Sequence, residues 1–307
     1  MRRTLIALTA TAATLGLAAC GGGGSGGPLD NGPSGGAPAP SDTIKIGSAN
    51  FSESTLLATI YAEALQAKGV KINQTPPLGS RETYIPALKD GSIDLIPEYT
   101  GTLLQYLNPQ ATQSSADEVY AALQKTVPAP LTVLDKSAAE DKDAVVVTKA
   151  LADKYNAKTI ADLAPHCGEL VVGGPSEFAT RPDGTPGIQK TYSCASKSYL
   201  SLDTGPVTVK ALVDNTIQAA DIFTTNPAIE ENNLVALEDP KNNFAAQNVV
   251  PLINSAKATD QVKQILNAIS AKLTTPELVE LNRQLNAPDK PDSATVAKGW
   301  LSKNGLG

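Results

Sequence analysis

The strongest constraint on the fold is the alternation of two periodicities between Thr43 and Ile96. Residues 43–47 alternate apolar and polar side chains as a strand does. Residues 53–68 then carry Leu56, Leu57, Ile60, Tyr61, Ala64 and Leu65 at helical spacing, with Gly69 as the stop. Residues 70–74 read as a second strand, 82–89 as a short helix closed by Gly91, and 93–96 as a third strand. Strand, helix, strand, helix, strand with links this short is the signature of a parallel sheet covered by helices.

The pattern then changes phase and repeats. Helices are predicted over 117–126, 150–155, 186–192 and 207–213, and strands over 131–134, 144–148, 170–173, 219–223, 234–237 and 249–253. The tail is all helix: 259–273, then 276–285 with Thr275 as N-cap and Pro276 at the first helical position, then 293–303. No internal repeat of fixed period is present. Two α/β units closed by helices predict two lobes, and a cleft between lobes is a common seat for a small ligand.

The N-terminus carries a different kind of information. Arg2 and Arg3 precede an apolar run over residues 4–19, which ends in Leu17-Ala18-Ala19-Cys20. A basic head, an apolar core and small residues before a cut site make a secretory signal over residues 1–19, and a run of that length is too short to span a bilayer. Leu-Ala-Ala-Cys resembles the bacterial lipobox, which implies a lipid on Cys20 and anchoring to the outer side of the cell membrane. Residues 20–41, rich in Gly, Pro, Ser and Ala, then read as a flexible tether.

Charge and rare residues exclude several classes. Loss of residues 1–19 removes two arginines and no acids, so the formal charge of −6 falls to −8. No Lys/Arg run offers a surface to nucleic acid. With Cys20 assigned to lipid, Cys167 and Cys194 are the remaining thiols. In an oxidising compartment they read as a disulfide worth roughly 3 kcal/mol, and a metal pair is the rival reading. The single histidine, His166, sits in a Pro-His-Cys-Gly turn. No nucleophile elbow, phosphate loop or paired-carboxylate motif appears, so no catalytic constellation, cofactor or metal is expected.

Four segments carry a resemblance. Residues 46–54 (Ile-Gly-Ser-Ala-Asn-Phe-Ser-Glu-Ser) open a predicted helix, and residues 87–102 read Ala-Leu-Lys-Asp-Gly-Ser-Ile-Asp-Leu-Ile-Pro-Glu-Tyr-Thr-Gly-Thr. Residues 177–184 read Glu-Phe-Ala-Thr-Arg-Pro-Asp-Gly, and 221–226 read Asp-Ile-Phe-Thr-Thr-Asn. Together they are similar to the quaternary-amine binding proteins of ABC importers, the glycine betaine/choline/proline-betaine family of osmoprotectant carriers, over roughly residues 42–290. The resemblance implies a two-lobe periplasmic-binding-protein fold of type II, with the chain crossing twice between lobes, near 137–142 and 246–249. Lobe one would hold 42–139 and 249–307, and lobe two 140–248. It further implies an extracytoplasmic monomer that captures a small solute, hands it to a membrane permease and catalyses no reaction.

A methylated ammonium donates no hydrogen bond, so it is held by aromatic faces, while a betaine carboxylate calls for a guanidinium and a hydroxyl. The family pattern places a cage tyrosine at Tyr99, the hydroxyl donor at Thr102 and the carboxylate-binding arginine at Arg181. Other positions depart from it. Ala49 stands where many relatives have lysine, Asp143 falls at a cage tyrosine, Phe223 lacks a hydroxyl, and Gln247 falls near a further tyrosine. A cage reduced to two aromatics would lose on the order of 1–4 kcal/mol of cation–π attraction. Asp143 has three open roles: pairing with the ligand cation, with Lys142 or with Arg181. The alternative ligand is a neutral polar or aromatic hydroxylated molecule using Tyr99, Phe223, Asn50, Gln247 and Asp143. A surface-anchored sensor or interaction protein and an exported enzyme are the readings from other classes.

Overall fold

The computed structural model describes residues 42–203 and 205–307; the expected leader, Cys20 and the tether lie outside the described residues. Strands β1 (Ile44–Ile46), β2 (Ile72–Gln74) and β3 (Leu95–Tyr99) lie parallel in the order β2-β1-β3. Helices α1 (Ser52–Ala67) and α2 (Arg81–Lys89) carry the chain back between them. Gly69 and Gly91 follow these helices with φ of 82° and 77°, the left-handed conformation that a helix stop favours and that glycine adopts without a Cβ clash. Helix α3 (Thr100–Leu107) starts directly after the last residue of β3 without a loop, and α4 (Ala116–Thr126) leads to β4 (Leu131–Val133).

The second sheet is built from β5 (Asp143–Thr148), β6 (Val171–Gly174), β7 (Ser198–Ser201), β8 (Ala219–Phe223) and β9 (Leu234–Ala236). Helices α5 (Lys149–Tyr155), α6 (Ile160–Leu163), α7 (Thr185–Tyr192), α8 (Pro206–Val213) and α9 (Ala228–Glu231) punctuate it. The chain then returns as β10 (Val249–Asn254) and ends in α10 (Asp260–Lys272), α11 (Thr275–Leu285) and α12 (Ser293–Lys303).

The two sheets follow one plan, β2-β1-β3-β10-β4 and β7-β6-β8-β5-β9. Neither is wholly parallel, contrary to the sequence expectation. β10 runs antiparallel to β3 and β4, and β5 antiparallel to β8 and β9. These two strands are reached by passage from the other sheet, not by a helical crossover, and this reverses their direction. The passages lie side by side. Ser137 N donates to Val249 O at 2.8 Å, Val249 N to Ala139 O at 3.0 Å, and Asp141 N to Gln247 O at 3.1 Å.

Each sheet is covered on both faces. Helix α1 is enclosed almost all round, with Leu56, Leu57, Ile60 and Leu65 fully buried, because α10, α11 and α12 pack over its outer side. A Cys167–Cys194 disulfide staples the turn after α6 to the segment after α7. No helix among the described residues is long and apolar enough to cross a membrane.

Four sequence assignments need correction. The third strand runs to Tyr99, not Ile96: Pro97 is opposed by Pro251, and an antiparallel pair of prolines is tolerated where the residues exchange no hydrogen bonds. Helix α3 escapes periodicity because its first five residues are all buried, leaving no polar face to reveal the turn. Strand β7, Ser-Tyr-Leu-Ser on a sheet edge, is largely exposed and lacks the alternation of a half-buried strand. The cap of α11 is Thr274, whose hydroxyl accepts from Glu277 N, so Thr275 is already helical and Pro276 follows it.

Candidate functional site

The cleft forms where strand ends and connections of the two sheets meet. The end of β3 brings Tyr99 and, one helical turn into α3, Thr102; the first residue of β5 is Asp143 and the last of β8 is Phe223. The loop after β6 carries Arg181, the return passage carries Gln247, and Asn50 precedes α1. All seven line one cavity of about 320 Å³, so the structure brings the whole sequence-derived set together.

One wall is aromatic. The Phe51 ring lies 6.0 Å from that of Tyr99 and 5.4 Å from that of Phe223, centroid to centroid. Sequence reading credits this wall with two rings; Phe51 makes a third, and Tyr106 and Tyr84 also border the space. The Tyr99 hydroxyl donates to Glu53 Oε1 at 2.5 Å, which leaves the ring face as what the residue offers the cavity. Glu53 Oε2 also accepts from the Thr225 hydroxyl at 2.6 Å and from the Asn282 amide. Burial holds the Glu53 carboxyl above the usual range, and burial with Glu53 alongside pushes the Tyr99 hydroxyl up. Glu53 thus joins α1 to the segment after β8, a tie between the two halves of the cleft that sequence reading did not single out.

Beneath this wall Glu98 is wholly enclosed. It accepts from Arg81 Nε at 3.0 Å and Nη2 at 2.8 Å, from the Tyr84 hydroxyl at 2.7 Å and from Tyr99 N at 2.9 Å. Arg81 lines the cavity too. Its partner is seventeen residues away on a neighbouring element, so no local motif announces it; the only sequence signal was Glu98 inside the Pro-Glu-Tyr block.

Gln247 Oε1 accepts from Gly101 N and Thr102 N, both at 3.0 Å, and lies 3.4 Å from the Thr102 hydroxyl. The amide therefore caps α3 as well as lining the cleft. A side chain at Gly101 would run into Ala246 O, so glycine lets the return passage approach the helix closely.

The polar end is built around Arg181. Its Nη2 donates to Asp143 Oδ1 at 2.9 Å, its Nε lies 3.7 Å from Asp183 Oδ1, and its guanidinium stacks 5.5 Å from the Phe178 centroid. Of the three roles open to Asp143, the structure realises the pair with Arg181; Lys142 pairs instead with Glu140 at 3.0 Å. The expected anchor for a ligand carboxylate is thus partly engaged by a protein carboxylate: Asp143 takes one nitrogen, while the buried Nε has no hydrogen-bond partner.

Behind this pair lies Asp221, 5% exposed, neither of whose oxygens meets a donor. Burial first, then the neighbouring Asp143, holds its carboxyl well above the usual range. An acid with a raised native pKa favours the fold while protonated and loses that contribution as pH rises past the ordinary carboxyl range. Asp221→Asn keeps the neutral shape. It is expected to stabilise the protein by roughly 1–3 kcal/mol at neutral pH, with the gain vanishing toward about pH 4. Thermal melts of both forms across pH check this, and a pH-independent difference would contradict it.

His166 lies outside the cleft, stacked 3.8 Å from the Tyr155 ring. Among the described residues no cluster of three His, Cys, Asp or Glu side chains is arranged to hold a metal.

Comparison with known proteins matches residues 42–303 to the substrate binding domain of ABC-type glycine betaine transport systems. The glycine betaine-binding protein YehZ of Escherichia coli K12 is 26% identical over 277 residues, covering 85% of this chain and 90% of that protein. The ergothioneine transport permease/ergothioneine binding protein EgtU of Helicobacter pylori is 27% identical over 260 residues, 83% of this chain but 46% of that longer protein. Among solved structures, a glycine betaine/carnitine/choline ABC transporter superposes with a TM-score of 0.70 at 24% identity over 86% of this chain and 99% of that one. Apo YehZ superposes with a TM-score of 0.63 at 25% identity over 87% and 100%. The two-lobe fold, the twice-crossing chain and a match that runs through nearly every described residue lead to one assignment: the chain belongs to the family of substrate-binding domains of ABC-type glycine betaine transport systems.

Proposed function

We propose that this protein captures an osmoprotectant-type quaternary amine, glycine betaine-like, in the cleft and delivers it to the permease of an ABC importer. The observation that carries the reading is the wall of three aromatic rings, Tyr99, Phe51 and Phe223, facing one small cavity. A methylated ammonium gains about 0.5–2 kcal/mol from each such face and asks for no hydrogen bond in return. Asn50, Thr102, Asp143, Arg181 and Gln247 complete the proposed binding set.

The chain is read as a monomer with lobe one at 42–139 and 249–307 and lobe two at 140–248. It is further read as exported by the leader at 1–19, lipidated on Cys20 and tethered by 20–41 outside the cytoplasmic membrane. Mass analysis of the mature N-terminus tests the lipid: a diacylated or triacylated cysteine supports it, and an unmodified residue elsewhere refutes it. The family is one of transport proteins, and no catalytic step enters this reading.

A second reading, a rebuilt pocket for a neutral polar or aromatic hydroxylated ligand, draws on the occupation of Arg181 by Asp143. Calorimetry of the purified protein with glycine betaine, proline betaine, carnitine and choline, followed by a polyol and polyphenol panel, separates the two. Micromolar binding of at least one quaternary amine is the expected result. Silence toward all of them with a response to a hydroxylated compound would replace the first reading with the second.

A further inference from the structure

We propose that Asp143 sets the choice among quaternary amines: by occupying Arg181 it makes the cleft prefer a cation that carries no carboxylate over a zwitterion. The inference rests on the quaternary-amine reading above and narrows it.

Three observations carry it. First, neither guanidinium in the cavity is unpaired. Arg181 is bound to Asp143 at 2.9 Å, and Arg81 is held by both oxygens of Glu98, at 3.0 Å and 2.8 Å. A ligand carboxylate reaching for the same Arg181 nitrogen has to displace Asp143, and one reaching for the buried Nε, which has no hydrogen-bond partner, has to settle beside the Asp143 charge. Asp143 is 5% exposed, so it would be left as a buried charge without its partner, the costly outcome for any buried pair.

Second, the wall is rich in acids. Glu82, Asp141, Asp143, Glu177 and Asp183 line the cavity against two arginines. Burial pushes the carboxyls of Asp141 and Asp183 up, so those two contribute less negative charge than their number suggests. With both set aside, Glu82, Asp143 and Glu177 still outnumber the arginines, and Glu98 behind the wall adds to them. The formal balance attracts a cation and repels an anion.

Third, Asp143 and the aromatic wall share one face. Asp143 of β5 is directly opposite Phe223 of β8 in the antiparallel ladder, and opposed residues place their side chains side by side. A trimethylammonium resting on the Phe223 ring therefore lies next to the Asp143 carboxylate. The same group that withholds Arg181 from an anion adds attraction for a cation.

The test is calorimetry of choline chloride and glycine betaine with the protein, Asp143→Asn and Arg181→Gln, each variant first shown by thermal melting to be folded. The wild-type protein is expected to bind choline at least tenfold more tightly than glycine betaine. Asp143→Asn, which frees the guanidinium and removes the charge, is expected to narrow that ratio at least tenfold. Arg181→Gln, which strips Asp143 of its partner, is expected to cost glycine betaine no more than it costs choline. An equal or inverted preference in the wild-type protein overturns the inference, as does a ratio unmoved by Asp143→Asn. A loss confined to glycine betaine in Arg181→Gln would make Arg181 a carboxylate anchor and overturn it too. Absence of binding by every quaternary amine tested would instead remove the functional reading on which it stands.

Discussion

Tyr99→Ala is expected to weaken binding of any quaternary amine by at least about a hundredfold, close to 3 kcal/mol. The change removes one of three ring faces from the cavity and with it the neighbour that positions Phe51, 6.0 Å away. It also strips Glu53 Oε1 of the hydroxyl that donates to it at 2.5 Å, inside a site where Glu53 is only 4% exposed. Tyr99→Phe divides these contributions. The ring remains, so affinity is expected to fall only a few-fold, whereas the unpaired Glu53 oxygen is expected to cost about 1–3 kcal/mol of stability. Calorimetry and thermal melts on the two variants give the comparison. Equal affinities for the wild-type protein and Tyr99→Ala would remove Tyr99 from the site.

The second large effect is on stability. Glu98→Ala leaves Arg81 without the carboxylate that neutralises it, and leaves Tyr84 and the amide of Tyr99 without an acceptor. The Arg81 side chain is 15% exposed and Glu98 wholly buried, so water offers little compensation. Breaking such a pair from one side costs about 3–5 kcal/mol, which in a chain of this size lowers Tm by roughly 6–15 °C. Glu98→Gln keeps acceptor oxygen for Tyr84 and is expected to fall between. Binding is expected to weaken with stability, because the same carboxylate fixes the backbone on which Tyr99 stands. A melt within about 2 °C of the wild-type protein would show the pair to be solvated in solution and contradict the account.

Much of the fold was legible because its signals are local. The helix stops at Gly69 and Gly91, the amphipathic tail helices and the alternating strands each depend on residues a few positions apart. What stayed hidden depends on partners that sequence spacing does not join. The direction of β5 and β10 follows from the passage between sheets, and α3 has no polar face in its first turns to set a period. The adjacent threonines at 274 and 275 satisfy the same capping chemistry, and only the extended backbone of Thr274 decides between them.

The site divides in the same way. Tyr99, Thr102, Arg181 and Phe223 stand inside contiguous motifs, and they meet in the cavity. Phe51 stands in such a motif as well, yet its role as a ring between Tyr99 and Phe223 emerges only when both lobes are present. Glu53 and Arg81 are ordinary charged residues on helices until their buried partners are known. The pairing of Asp143 with Arg181, thirty-eight residues apart, was one of three possibilities that the residues themselves could not rank.

Gln247 shows how closely shape and selectivity are bound in this chain. Its side-chain oxygen caps the start of α3, its backbone belongs to the strip joining the sheets, and the residue borders the cavity. These three duties cannot be exchanged one at a time. Any exchange that gave the cavity a new surface here would also uncap a helix beside the strip that joins the sheets. A change of solute has an easier route through Asp143 or Phe223, whose side chains take no part in the α3 cap.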